Sequence, residues 1–233
     1  MTRKVNAFAV FAVAPLLAPL LAIVLTIMAV LSPPAPVLAA SAPVRILVLG
    51  DSLSAGYGLP AAESFPSRLE AALRARGHEV AVVNAGVSGD TTAGGRSRIA
   101  WSLGGTPPPD AAIVALGSND ALRGLEPAET RANLDAILSK FKAAGLPVLL
   151  AGMKAPRNFG PDYVREFEAV FPALAKRHDA LFYPFILEGV ALDPAMNQAD
   201  GIHPNPKGVA RMVQGILPLA EQLIARARSE GSP

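Results

Sequence analysis

The residues with the clearest chemical potential are a serine near the start of the sequence and a histidine near its end. Ser52 follows an apolar run over residues 44–49, through Gly50 and Asp51. The run predicts a buried strand, and open α/β sheets bind ligands at the carboxyl ends of their strands. A serine there is a candidate nucleophile if a base can reach it, although it could also cap a following helix.

His203 is the histidine best placed to act as that base. It follows the last predicted strand and precedes a helix that opens at Asn205 and Pro206. The other two histidines, His78 and His178, precede predicted strands, which places them at the opposite edge of the sheet. We interpret these two as solvated surface residues. The alternative for His203 is an ordinary turn histidine.

Asp200 lies three residues before His203, so a tight turn can bring its carboxylate to the imidazole Nδ1. In a serine triad this carboxylate holds the tautomer of the base and stabilises the imidazolium that forms. Asp193 and Asp179 compete for this role but are less well placed, and Asp200 could also be a simple turn residue. The order serine, aspartate, histidine is that of α/β-type hydrolases, although a Gly-x-Ser-x-Gly elbow does not surround the serine.

Three groups are candidate donors to the oxyanion that develops when a serine attacks a carbonyl carbon. They are the backbone amide of Ser52, the backbone amide of Gly89 and the side-chain amide of Asn119. Gly89 allows the backbone to approach a ligand closely, and Asn119 offers an uncharged NH₂ group. The alternative for each is an ordinary turn residue.

Predicted strands and helices alternate after residue 43. The strands are continuous apolar runs, as expected where both faces of a sheet are covered. The alternation predicts a parallel sheet between helical layers, with the polar turns after the first three strands at one edge. The predicted strands cover residues 44–49, 80–84, 111–116, 148–153 and 181–185, and the predicted helices cover residues 63–76, 95–102, 127–144, 162–177 and 206–228.

The first 39 residues have the pattern of a targeting segment. Arg3 and Lys4 precede an uncharged apolar run over residues 7–31, and residues 37–39 include the small side chains that signal peptidase requires. We expect a signal peptide over residues 1–39 and one domain over residues 40–233. The alternative is a retained anchor, because the run is long enough to span a bilayer. Both place the domain in a bacterial periplasm or outside the cell.

The composition argues against several other functions. Without Arg3 and Lys4 the chain has 19 basic and 19 acidic side chains, and no basic cluster interleaves with aromatic residues, so we expect no nucleic-acid partner. There is no cysteine, which excludes disulfides and thiolate chemistry. The chain has three histidines, and we expect neither a metal nor a cofactor.

Four motifs resemble, in order, the four signature blocks of the GDSL/SGNH hydrolase family. The resemblance covers about residues 44–225 and is closest to the family's periplasmic thioesterase, arylesterase and lysophospholipase branch. The motifs are residues 50–57 (GDSLSAGY), 84–91 (NAGVSGDT), 117–124 (GSNDALRG) and 200–205 (DGIHPN).

The resemblance implies an α/β fold, a flavodoxin-like three-layer sandwich with a five-stranded parallel sheet, and no metal. It also assigns the roles of the candidate residues. Ser52 would be the nucleophile, with Asp200 and His203 as the rest of the triad. Ser52, Gly89 and Asn119 would supply the oxyanion donors.

An open acyl pocket is expected, because the sequence shows no long lid between these loops. We expect two segments to form the walls around the acyl chain. They are residues 121–125 and residues 154–161. Ser118 occupies a position where this branch often has glycine, and we expect its side chain to narrow the acyl entrance and favour shorter chains. The apolar side chains in the two segments are Leu122, Leu125, Pro156 and Phe159.

These features predict a secreted, monomeric serine hydrolase that cleaves small carboxylic esters and thioesters through an acyl-serine intermediate, with membrane lipids as further candidate substrates. A carbohydrate O-acetyl esterase is the alternative within enzymes. The alternative from another class is a flavodoxin-like module that binds an anion at its strand-end loops. Such a module has no need of the Asp-x-x-His motif.

Overall fold

The structure is a computed structural model that describes residues 42–230. Five strands form one sheet in the order β2-β1-β3-β4-β5, and every neighbouring pair is parallel. The predicted five-stranded parallel sheet is thereby confirmed. The strands are β1 Val44–Gly50, β2 Val80–Gly86, β3 Ala111–Ala115, β4 Val148–Ala151 and β5 Leu181–Tyr183.

Seven α-helices accompany these strands in the described part of the chain. Two of them, α1 and α4, are single short turns at strand ends, and two 3₁₀ turns, Ala61–Glu63 and Arg157–Phe159, lie in connections. The helices are α1 Ser52–Ala55, α2 Phe65–Ala75, α3 Thr92–Leu103, α4 Ser118–Leu122, α5 Pro127–Ala143, α6 Pro161–His178 and α7 Pro206–Glu230.

Right-handed crossovers place the longer helices in two layers. The chain passes from β1 through α2 to β2 at one edge, then reverses through α3 to β3 on the other side of β1. Because crossovers in opposite directions lie on opposite faces of the sheet, α2 is separated from α3, α5 and α6. The contacts agree, since α2 packs against α7 while α5 packs against α3 and α6. This is the predicted α/β/α sandwich.

The core lies on both faces of the central strands. All five residues of β3 are buried, and Ile46 and Leu49 of β1 are fully buried. Phe65 of α2 fills one side of the sheet and Phe141 of α5 fills the other. Because protein interiors are close-packed, this core fixes the positions at which β1 and β3 end.

Predicted and observed boundaries differ by at most three residues, and the differences have local causes. The helix α3 begins at Thr92 rather than at residue 95, because the Thr91 side chain accepts a hydrogen bond from the Gly94 amide (3.4 Å) and caps the helix. Pro184 ends β5 before residue 185, since proline cannot donate to a ladder. The sequence missed α1 and α4, which are too short to show a helical period.

The predicted signal peptide over residues 1–39 lies outside the described residues. Within residues 42–230, none of the helices has both the length and the apolar character that crossing a membrane requires.

Gly86, the last residue of β2, lies against the backbone of α1. A Cβ at this position would collide with the backbone of Ser54 and Ala55, which no side-chain rotation can relieve. We predict that Gly86→Ala lowers the free energy of unfolding by about 1–3 kcal/mol, measured by urea denaturation. Gly104→Ala is the control, because its added Cβ would meet nothing closer than 3.5 Å. Equal losses in both variants would contradict this account.

Candidate active site

Ser52 lies where the direction of the strand connections reverses. It is the first residue of α1, directly after β1, and β1 lies beside β3 in the sheet. Ligands bind at such switch points in open α/β sheets. The Asp51 carboxylate accepts a hydrogen bond from the Leu53 amide at 3.0 Å and caps α1. The short helix that carries Ser52 is therefore fixed at its first turn.

A hydrogen-bonded loop before α7 carries Asp200 and His203. Asn197 and Pro204 pair across the loop in an isolated antiparallel bridge. The backbone amide of Gln198 donates to the His203 carbonyl oxygen at 2.8 Å. The side chain of Asn205 then caps α7 by accepting from two amides of its first turn, at 2.9 and 3.1 Å. The loop is thus held at both ends.

This loop brings His203 to Ser52. The His203 Nε2 lies 3.0 Å from the Ser52 Oγ, and its Nδ1 lies 2.7 Å from the Asp200 Oδ2. Both are hydrogen-bond distances. With a proton on Nδ1 facing the carboxylate, the imidazole can accept the serine proton at Nε2.

Asp200 is held in its ionised form by donors on the His203 turn. The backbone amide of His203 donates to its Oδ1 at 3.0 Å, the His203 ring faces its Oδ2, and the Ile202 amide also donates to Oδ1 at 3.0 Å. These bonds, the His203 amide first, lower the pKa of Asp200 from 3.8 to about 2. The imidazole therefore faces a negative charge throughout the neutral range.

The other two histidines lie away from this loop, as predicted, but one of them is not solvated. The Nε2 of His78 is 3.3 Å from Glu221. The Nε2 of His178 is 2.6 Å from Asp135, and its side chain is only 9% exposed, so the prediction of a solvated surface residue is wrong for His178. Packing of α6 against α5 buries it.

The two competing aspartates have other partners. The Asp193 carboxylate accepts from the Ala195 amide at 2.8 Å, and the Asp179 carboxylate lies 3.8 Å from Arg226. Neither contacts His203 in the described structure. Residues 42–230 also contain no group of three or more histidine, aspartate or glutamate side chains arranged to hold a metal ion.

The side-chain amide of Asn119 lies between the turns that carry the other two predicted oxyanion donors. Its Nδ2 donates to the Asp90 carbonyl oxygen at 2.8 Å and lies 3.5 Å from the Asp51 Oδ2. Asp51 precedes Ser52 and Asp90 follows Gly89, so the Asn119 side chain contacts both turns that carry the other predicted donors. An amide NH₂ carries two hydrogens; one is bonded to Asp90, and the other makes the long contact with Asp51.

The two backbone donors are held by their local structure. Gly89 has φ +83°, a conformation that glycine adopts without strain. The guanidinium of Arg123 donates to the Gly89 carbonyl oxygen at 2.9 Å, which fixes the turn. The Ser52 amide lies in the first turn of α1, where no intrahelical acceptor is available.

Arg98 joins the ends of β1 and β2 to this turn, and the sequence interpretation missed it. Its Nε donates to the Asp90 carboxylate at 2.6 Å, and its two terminal nitrogens donate to the carbonyl oxygens of Ala85 (2.7 Å) and Gly50 (2.9 Å). Both ionic side chains are largely buried, with 16% and 17% exposed. Nothing in the local sequence distinguishes Arg98 from a solvated helix residue.

A second buried network joins α3 to α4. The Thr92 amide donates to the Asp120 carboxylate at 2.8 Å, the Thr92 hydroxyl donates to the same group, and the Thr130 hydroxyl lies 3.3 Å from it. Asp120 directly follows Asn119. The network therefore fixes the side-chain amide of Asn119 relative to the Gly89 turn.

The structure gives Ser118 a different partner from the one expected. Its hydroxyl donates to the Asp51 Oδ2 at 2.6 Å and lies 3.6 Å from the Met153 sulfur. Asp51 is fully buried, and this desolvation raises its pKa although the Ser118 bond opposes the shift. The prediction that Ser118 narrows the acyl entrance is corrected, because a buried carboxylate attracts its hydroxyl inward.

The two segments predicted to wall the acyl chain contact each other. The Gly124 Cα lies so close to the Phe159 ring that a Cβ added to Gly124 would be 2.7 Å from a carbon of that ring. The Tyr163 hydroxyl donates to the Leu125 carbonyl oxygen at 2.8 Å. Leu122 is 51% exposed and Phe159 is 39% exposed. They offer open apolar surface on the segment that follows Asn119 and on its neighbour.

The fold and the serine, histidine and aspartate contacts define the class as an SGNH-type hydrolase, and comparisons with known proteins agree. The model of the GDSL-like Lipase/Acylhydrolase family matches residues 48–211. The chain belongs to this family, and it is an enzyme of the esterase type. The alternative of an anion-binding module is thereby set aside.

Several relatives are similar over most of the chain. Esterase TesA of Pseudomonas aeruginosa is 39% identical over 179 residues, which cover 77% of this chain and 89% of that protein. Thioesterase 1/protease 1/lysophospholipase L1 of Escherichia coli K12 is 42% identical over 166 residues, covering 71% and 78%. The crystal structure of AlinE4, an SGNH-hydrolase family esterase, superposes with a TM-score of 0.67 at 48% identity and covers 77% and 96%.

The position of the Ser118 hydroxyl generates a prediction. Ser118→Ala should lower the free energy of unfolding by about 1–3 kcal/mol, because a buried carboxylate oxygen loses its donor, as measured by urea denaturation. The preference among ester chain lengths should stay that of the wild type. Ser97→Ala is the control, since its exposed hydroxyl bonds only to the Gly94 carbonyl. A changed chain-length preference without a stability loss would contradict the assignment.

The lowered pKa of Asp200 generates a second prediction. A depressed pKa keeps the carboxylate charged as the pH falls through 3.8, and the charge is lost only near pH 2. Asp200→Asn should therefore reduce kcat/KM on the alkaline plateau of the profile by the order of 10⁴-fold, as in other triads. Its acid limb should lie at lower pH than that of the wild type, because the imidazolium loses its anionic partner. Asp193→Asn should leave the profile unchanged. A plateau activity close to the wild type would contradict the assignment.

Proposed function

We propose that this chain is an exported serine esterase that cleaves carboxylic esters and thioesters through an acyl-serine intermediate. The observation that carries the proposal is the 3.0 Å contact between the Ser52 Oγ and the His203 Nε2, with Asp200 at 2.7 Å on the other side of the ring. Neutral serine is a weak nucleophile, and an adjacent base activates it. This is the arrangement that such activation requires.

In the proposed reaction, the Ser52 Oγ attacks the carbonyl carbon of the ester while His203 takes the serine proton at Nε2. The developing oxyanion is stabilised by the amides of Ser52 and Gly89 and by the side-chain amide of Asn119, whose second hydrogen exchanges its long 3.5 Å contact with Asp51 for the oxyanion. The tetrahedral intermediate then collapses, and the alcohol or thiol leaves with the proton from His203. Water, deprotonated by the same histidine, releases the acyl group and regenerates the serine.

The acyl chain of the substrate would lie along the two contacting segments after Asn119 and after β4. Their half-exposed leucine and phenylalanine side chains favour an apolar tail, which argues for acyl esters over the carbohydrate O-acetyl esterase alternative. Thioesters and lysophospholipids are proposed because the Escherichia coli relative carries thioesterase and lysophospholipase in its name. The leaving group meets no dedicated pocket in this proposal.

The cellular location and the oligomeric state are proposed on other grounds. The charged, apolar and small-residue pattern of residues 1–39 supports export to the periplasm or the exterior, with residues 40–233 as the catalytic domain. We propose a monomer; the proposed triad and oxyanion hole are complete within one chain, so catalysis needs no residue from a second copy.

The proposed function predicts turnover of p-nitrophenyl esters and acyl-CoA thioesters by the purified protein without an added metal. Ser52→Ala should abolish both activities, by about 10⁶-fold as for a triad nucleophile, with an unchanged thermal midpoint. His78→Ala serves as the control and should keep wild-type turnover. The measurement is kcat/KM over esters from acetyl to palmitoyl, alongside acetylated xylan. Full activity of Ser52→Ala, or the best turnover on xylan, would refute the proposal.

A further inference from the structure

The ring of Tyr57 packs against the imidazole of His203 and is not part of the hydrophobic core. The centroids of its ring and the imidazole are 4.5 Å apart, with an angle of 34° between the ring planes. The side chain is 53% exposed. Its contribution to the buried core is therefore small, and its extended contact is with the base of the proposed triad.

The backbone of Tyr57 joins the two segments that the reaction must keep together. Its amide donates to the Ser52 carbonyl oxygen at 3.2 Å. Its own carbonyl oxygen accepts from the Gln198 Nε2 at 2.8 Å, and the same nitrogen donates to the Pro204 carbonyl oxygen at 3.0 Å. The ring of Tyr57 is thus anchored to the helix turn of the nucleophile and to the loop of the base.

Resting on the function proposed above, we propose that Tyr57 is a positioning residue that holds the imidazole plane of His203 and stabilises the imidazolium formed during attack. Hydrogen bonds fix the two nitrogens of that ring, one toward Ser52 and one toward Asp200. These bonds act at the edge of the ring and do not support its faces. The Tyr57 ring, packed on one face, supplies that support.

The chemistry of the contact favours the charged form of the base. An aromatic face within about 6 Å attracts a cation, by about 0.5–2 kcal/mol. The acidic groups that act on the imidazole are Asp200, directly at 2.7 Å, and the buried Asp51 at longer range, and both also favour the charged ring. The benefit from Tyr57 grows when His203 takes the serine proton, so it appears in the transition state.

The test compares Tyr57→Phe with Tyr57→Leu on a p-nitrophenyl ester. Phenylalanine keeps the π face, and its kcat should stay within about twofold of the wild type. Leucine keeps the apolar cover but has no π face, and its kcat should fall about 3- to 30-fold, the rate equivalent of the cation–π range, with KM unchanged. The acid limb of the kcat/KM profile should move to lower pH in Tyr57→Leu, because the imidazolium loses a stabilising partner.

Trp101→Leu is the matched control, because Trp101 is an aromatic side chain of α3 that is 80% exposed. It should leave kcat, KM and the pH profile unchanged, and thermal midpoints confirm that all variants fold. Equal kcat in the two Tyr57 variants would overturn the inference and indicate an inert ring. A raised KM at constant kcat would also overturn it and indicate that the ring contacts the substrate. Loss of activity in Tyr57→Phe would also overturn it. Retained activity in Ser52→Ala would instead refute the proposed function itself.

Discussion

The ends of neighbouring parallel strands must be held together if the loops that follow them are to form one site. In this protein the guanidinium of Arg98 does so, with one nitrogen on the carbonyl of Gly50, one on that of Ala85 and one on the carboxylate of Asp90. The planar fork of an arginine suits three acceptors at fixed angles, whereas a lysine would offer a single point charge. Because the charge is largely buried, removal of one partner leaves the other unpaired at considerable cost.

The site also depends on two carboxylates whose environments shift their pKa values in opposite directions. Asp51 is buried, and desolvation raises its pKa, whereas Asp200 accepts three hydrogen bonds from its own turn and has its pKa lowered. Asp51 accepts hydrogen bonds from the Leu53 amide and from the Ser118 hydroxyl, and these bonds fix the turn that carries the nucleophile. Asp200 supplies a dependable negative charge to the base. Two groups of the same type thus perform different tasks, because desolvation dominates at Asp51 and hydrogen bonds dominate at Asp200.

Most of the fold and the central contacts of the site were predictable, because both follow from local patterns. Continuous apolar runs identified the five strands. His203 is the third residue after Asp200, a spacing that a turn converts directly into a hydrogen bond. The roles of Arg98 and Tyr57 could not be assigned, and the direction of the Ser118 side chain was predicted wrongly. Most of their partners lie far away in the sequence, and a serine shortly after a strand end can point inward or outward. The direction of the Ser118 side chain follows from the burial of Asp51, which only the packed structure reveals.

The exposed large apolar side chains are concentrated around the proposed site rather than spread evenly over the surface. A single exposed apolar residue needs no explanation, but a concentration of them near one site is a feature of binding surfaces. Seven large apolar side chains are exposed within residues 42–230, and five of them lie in or beside the loops of the proposed site. In the proposed function this exposed apolar surface contacts the acyl chain, and the hydrogen-bonded polar centre selects the reacting carbonyl. The five side chains are Tyr57, Val87, Leu122, Phe159 and Ile202.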